Sequence, residues 1–101
     1  MELAPELNGK VAIVTGGSRG IGRAICIGLA QAGVRVAVAS RTEVDTSSES
    51  DFQRYASGTI HQTAEIIRAQ GGTAVGVRCD LSRAKEIQSL VETTLGRFGR
   101  I

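Results

Sequence analysis

Aromatic residues are almost missing from this 101-residue chain: it has no Trp, and Phe52, Tyr55 and Phe98 are its whole aromatic set. Proteins that hold single-stranded nucleic acid stack bases on such rings, and this sequence offers no such platform. Charge of one sign is also scarce. The formal net charge is +2 and no run of basic residues occurs, which argues against nucleic acid or a membrane surface as partner. No segment reaches the roughly 20 unbroken apolar residues of a membrane span. The N-terminal M-E-L-A-P-E-L-N-G-K is acidic and lacks the basic-then-apolar order of a signal peptide, so a cytoplasmic location is expected. Cysteine is confined to Cys26 and Cys79, both in apolar, regular segments, and reads as two reduced core thiols rather than a disulfide. His61 is the only histidine. With no second His or Cys at ligand spacing, it reads as a helix-surface residue and not as a metal ligand.

What is present is ordinary for an α/β protein: 42% apolar and 22% charged residues. The length fits one small domain over residues 1–101, in which a core is possible but marginal. Val11 to Val14 is a short apolar run bounded by glycines and reads as a strand buried on both faces. Ile21, Ala24, Ile25, Gly28, Leu29 and Ala32 then trace one helical face, which Gly33 would end. Val34 to Ala39 and Thr73 to Cys79 read as further strands. Between them, Thr59 to Gln70 carries Ile60, Ala64 and Ile67 at helical spacing and stops at Gly71-Gly72. Ser82 is a candidate N-cap for a last helix with Ile87, Leu90, Val91, Leu95 and Phe98 on its apolar face. The order β-α-β-α-β-α predicts an α/β fold with a parallel sheet and right-handed crossovers.

Thr42 to Gly58 breaks this rhythm. It holds four acids and six Ser/Thr with little apolar periodicity. Such a length without structure is unusual in a compact domain. It reads either as a solvated insertion loop over residues 42–58 or as a flap bordering a ligand site.

The first strand runs into V-T-G-G-S-R-G-I-G and then into a helix. Glycines permit positive φ and let backbone N–H groups approach an anion. A helix N-terminus adds free N–H groups and partial positive charge. The glycines fall at Gly16, Gly20 and Gly22, a G-x-x-x-G-x-G spacing. No Lys-Ser/Thr follows, so this is not a triphosphate loop. In its strand–turn–helix setting the turn reads as a dinucleotide site, the alternative being a merely tight structural turn. An acid roughly 20 residues past the glycines would hold the ribose of NAD. Here the second strand ends at Ser40-Arg41 instead, and no acid follows until Glu43. Arg41, with Arg19 from the turn, can pair with a 2′-phosphate, which favours NADP(H); Glu43 and Asp45 keep NAD(H) open.

Thr15-Gly16-Gly17-Ser18-Arg19-Gly20-Ile21-Gly22 resembles the T-G-x-x-x-G-I-G signature of the short-chain dehydrogenase/reductase family. The resemblance continues through Cys79-Asp80-Leu81 and into Gly96-Arg97-Phe98-Gly99-Arg100-Ile101. It implies a Rossmann-like sheet, with the three strands in order 3-2-1. It also implies that Gly16, Gly20 and Gly22 line the cofactor phosphates, that Ser18, Arg19 and Ile21 contact the dinucleotide, and that Asp80 and Leu81 hold the adenine. The alternative for Asp80 is a helix-initiating acid before Ser82, and for Arg41 a solvated strand-end arginine.

The family's hydride transfer between nicotinamide and a carbonyl or alcohol carbon uses a tyrosine, a lysine four residues later, a serine and an asparagine. The only tyrosine, Tyr55, is followed four residues later by Thr59, and the only lysines are Lys10 and Lys85. No catalytic residue is assigned, and the chain alone is expected not to turn over substrate. It reads as a cofactor-binding N-terminal half cut before a fourth strand. On that reading strand one is left as an unprotected edge, to be covered by a missing C-terminal half or by self-association. A non-catalytic dinucleotide-binding module and an inactive remnant are the alternatives.

Overall fold

The computed structural model describes residues 5–41 and 59–101. A short 3-10 turn, Pro5–Leu7, leads into strand β1 (Val11–Thr15), helix α1 (Gly20–Gln31) and strand β2 (Arg35–Ser40). After the undescribed segment come α2 (Ile60–Ala69), β3 (Ala74–Arg78) and α3 (Ala84–Phe98). The three strands form one parallel sheet with β2 in the middle, as the alternating pattern predicts. Val11 pairs with Arg35 at the start of the β1–β2 ladder, and Val36 with Ala74 at the start of β2–β3. Among the described residues β1 pairs on one side only. No described helix is long and apolar enough to cross a membrane. The 42–58 segment, with Phe52 and Tyr55, lies outside the described residues.

β2 is buried on both faces, and its side-chain sizes differ between them. Val36 and Val38 point into the main core, with Cys26, Val34, Ile60, Ala64, Ile67 and Ala74, under α1 and α2. Ala39, on the other face, meets Cys79 and Leu90 of the α3 layer. Alternate residues of a strand face opposite sides, so V-A-V-A puts the bulk on one face and leaves the other thin. Gly76 of β3 packs close to α2, where a Cβ would come within 3.2 Å of His61 Nδ1 and 3.3 Å of Ile60, so that a larger side chain would require those neighbours to give slightly.

α2 starts where its chemistry dictates. Thr59, read as the first helical residue, is instead the N-cap: its hydroxyl accepts from Gln62 N at 3.1 Å and Gln62 Oε1 accepts from Thr59 N at 3.0 Å. This reciprocal box satisfies two donors that the first turn leaves open. Gly33 and Gly71 follow the α1 and α2 C-caps at φ +91° and +88°, the left-handed conformation that favours glycine.

Three sequence expectations need correction. On α1 the expected stripe is largely outside: Ile21 is 81% exposed and Ile25 48%, while Cys26 is 0%. The helix docks through Cys26, Leu29 and Ala30, a face rotated from the expected one. α1 is apolar nearly all round, so periodicity by itself could not select the docking face. On α3 the cap is Arg83, not Ser82, and no side chain bonds the cap. Its buried positions are Leu90 and Thr94, while Ile87, Val91 and Leu95 remain exposed. Thr94 tolerates burial because its hydroxyl donates to Leu90 O at 2.8 Å.

Cys26 and Cys79 are both free and buried, as expected of core thiols. Ile67 anchors α2 in the main core. Truncating it should cost about 2–5 kcal/mol, by lost transfer energy plus the cavity left. Urea denaturation of Ile67→Ala should show the corresponding fall in midpoint.

Candidate functional site

The carboxyl ends of the three strands converge on one cleft of about 320 Å³. Its walls are Thr15 and Gly16 after β1, Ala39, Ser40 and Arg41 after β2, and Cys79, Asp80, Leu81 and Ser82 after β3. A parallel sheet gathers the loops following its strands at one edge, so residues far apart in sequence meet there. Of the residues singled out in the sequence, Gly16, Arg41, Asp80 and Leu81 line this cleft together. Ser18, Arg19, Gly20, Ile21 and Gly22 do not line it; they form the turn beside it and the head of α1.

The glycine turn is built from backbone. Gly16 and Gly20 adopt φ +70° and +60°. Gly22 lies so close to Gly16 that a Cβ there would overlap the Gly16 carbonyl. At Gly17 a Cβ would come within 2.8 Å of Val38 Cγ1 and 2.9 Å of Cys26 Sγ. Gly17 N donates to Ala39 O at 3.2 Å, tying the turn to the end of β2.

This arrangement leaves the N-terminus of α1 bare. Its N-cap is Arg19, whose extended backbone (φ −162°) is ordinary and whose side chain caps nothing. No acid sits in the first turn. The first-turn N–H groups, which have no side-chain cap among the described residues, and the helix dipole therefore give this end partial positive charge, with the exposed Arg19 guanidinium adding to it.

Ser18 sits differently from its neighbours. It is only 5% exposed, and its carbonyl accepts from Arg23 Nη2 at 2.6 Å. Sequence reasoning passed over Arg23 and missed Thr63, whose buried hydroxyl donates to Gly17 O at 2.8 Å. No local signal marks Thr63, because it lies 46 residues from the carbonyl it holds.

Across the cleft, Asp80 Oδ1 accepts from Ser82 N at 3.0 Å and from Ser82 Oγ at 2.7 Å. These bonds, with smaller help from Arg41 and Arg83, hold the Asp80 carboxyl below its ordinary range. Glu86 braces the same loop: Oε1 accepts from Asp80 N and from Arg78 Nη1, both at 3.0 Å. An acid in the first turn of a helix is the sequence signal that could have found it. Burial pushes the Cys26 thiol up to about 11 and raises Cys79 as well, where Glu86 and Asp80 add to the effect. Both shifts disfavour the thiolate, the reactive form of cysteine.

Two substitutions check this geometry. Gly22→Ala should force the turn apart and cost about 1–3 kcal/mol, read as a fall in thermal midpoint. Ser82→Ala should raise the Asp80 pKa toward the ordinary carboxylate value, read by NMR titration of the carboxyl carbon. Because folding lowers this pKa, the stabilisation it gives is complete above the unfolded-state value and is lost as pH falls through the folded one. The variant should accordingly lose stability at neutral pH and converge with the parent in acid.

The chain matches the short chain dehydrogenase family over residues 10–101. It is 37% identical to a 3-oxoacyl-[acyl-carrier-protein] reductase of Synechocystis, covering 94% of this chain and 33% of that protein. It is 36% identical to glucose 1-dehydrogenase 2 of Bacillus subtilis, covering 95% of this chain and 32% of that one. Among solved structures, a metagenomic short-chain oxidoreductase in complex with NADP superposes with a TM-score of 0.70 at 35% identity, over 93% of this chain and 36% of that one. A short chain dehydrogenase/reductase from Burkholderia phymatum in complex with NAD gives 0.75 at 30% identity, over 95% and 29%. The chain thus spans about a third of the length of the curated relatives it matches. With the strand–glycine turn–helix unit and the cleft at the strand ends, this match over nearly the whole sequence establishes that the chain belongs to the short-chain dehydrogenase/reductase family.

Proposed function

We propose that this chain binds a nicotinamide dinucleotide, prefers NADP(H), and supplies the cofactor-binding portion of an oxidoreductase that moves hydride between the cofactor and a carbonyl or alcohol carbon. One observation carries the reading: the uncapped N-terminus of α1 stands beside a cleft formed by the ends of all three strands. Gly16, Gly20 and Gly22 would hold the pyrophosphate by backbone N–H groups, because their conformations and close approach leave no side chain in the way. Ser18 and Ile21 would flank it. Asp80 and Leu81, on the far wall, would hold the adenine. When bound, the cofactor supplies the hydride or accepts it.

Arg41 supports the preference for NADP(H). It is exposed on the cleft wall, at the end of the central strand, where NAD-type sites carry an acid. Its charge is felt at Asp80 across the cleft. A guanidinium can make paired, charge-assisted hydrogen bonds to a 2′-phosphate, and Arg19 at the head of α1 would approach from the other side. NAD(H) remains the competing ligand.

The sequence lacks the family's tyrosine–lysine pair, so the chain by itself is proposed to bind without turnover.

Fluorescence titration with NADPH and NADH tests the proposal. NADPH should bind more tightly, and Arg41→Ala should weaken it about tenfold or more while leaving NADH nearly unchanged. Failure to bind either dinucleotide would remove the reading.

A further inference from the structure

We infer that Thr63 and Arg23 are positioning residues for the dinucleotide: together they set which way the peptide units of the glycine turn face. The inference rests on the cofactor-binding reading above. Thr63 is 0% exposed and stands on α2, away from the cleft lining. Its hydroxyl accepts from Arg23 Nε at 3.0 Å and donates to Gly17 O at 2.8 Å, with Ser18 O at 3.2 Å. Arg23 Nη2 reaches Ser18 O at 2.6 Å. Gln62 Oε1, already engaged in the α2 capping box, lies 3.5 Å from the same nitrogen. Two consecutive carbonyls of the turn are thus drawn toward the α1–α2 layer by one buried hydroxyl and one guanidinium.

The consequence follows from peptide geometry. In a planar trans peptide the C=O and the next residue's N–H point in opposite directions. Pulling Gly17 O and Ser18 O toward α2 therefore turns the N–H groups of Ser18 and Arg19 away from it. Neither N–H has a partner among the described residues. The turn immediately precedes the bare end of α1, so two further donors are added beside that site. Without the Thr63 hydroxyl, Gly17 O would be left buried and unpaired, and the peptide would be driven to rotate toward another donor. The dinucleotide would then meet carbonyl oxygens where it needs N–H groups.

The test uses Thr63→Val, which keeps shape and removes the hydroxyl, and Thr63→Ser, which restores it. Thr63→Val should weaken NADPH and NADH by the same factor, about tenfold, because the affected donors face the part common to both. This equal loss differs from the Arg41→Ala result, which falls on NADPH alone. Thr63→Ser should bind within about twofold of the parent. Ile67→Val, also buried on α2, controls for lost stability and should leave both affinities unchanged. In the chain without cofactor, the Ser18 and Arg19 amide NMR signals should move in Thr63→Val and return in Thr63→Ser. Parent-like affinity of Thr63→Val, or equal loss in Ile67→Val, would overturn the inference, as would unmoved amides. If the parent binds neither dinucleotide, the cofactor reading fails, and the amide signals alone decide whether Thr63 sets the turn.

Discussion

Burial of β2 on both faces is the constraint from which the site follows. Val36 and Val38 lock one face under α1 and α2, and Ala37 and Ala39 are buried on the other. A strand held this way has little freedom to slide, because a one-residue slip would exchange its two faces. Its end then serves as a fixed support on both sides. Ala39 O receives Gly17 N from the glycine turn, and Ser40 O receives Cys79 N from the loop that carries Asp80. The walls of the cleft are hung from consecutive carbonyls of one strand.

The glycine turn shows how little of an anion site needs to be side chain. Gly17 has no room for a Cβ between Val38 and Cys26, and Gly22 has none against the Gly16 carbonyl. The core therefore reaches up to the turn, and the turn closes directly onto α1. Positive charge comes from the helix end and from Arg19, while Arg23 is turned inward and spent on Ser18 O. Arginines four residues apart on one short segment thus do different work, one exposed and one structural.

The opposite wall is organised by carboxylates. Asp80 is held by Ser82, and Glu86 gathers Asp80 N, Arg78 and Arg83. These ion pairs are exposed and contribute little stability by themselves, but they fix the path of the β3–α3 loop. The thin α3 layer adds only Leu90 and Thr94 to the buried set, so this side of the sheet is less firmly packed than the α1–α2 side.

Local pattern carried much of this protein. Short apolar runs and a period near 3.6 located the strands and α-helices among the described residues to within a residue or two, because burial and backbone hydrogen bonding act on the same few neighbours. Gly16 and Gly20 were legible for the same reason: positive φ is a property of one residue and shows in its identity. The meeting of Gly16, Arg41, Asp80 and Leu81 at one cleft followed from recognising a parallel sheet, which brings the strand ends together. Tertiary structure alone decided what depends on distant partners. It chose Cys26 over Ile25 as the docking face of α1, since a helix apolar all round carries no preference of its own. It turned Ser82 from a helix cap into the partner of Asp80. And it recruited Thr63, an inconspicuous residue on another helix, to hold the carbonyls of the turn, because a buried C=O must find a donor wherever the fold brings one near.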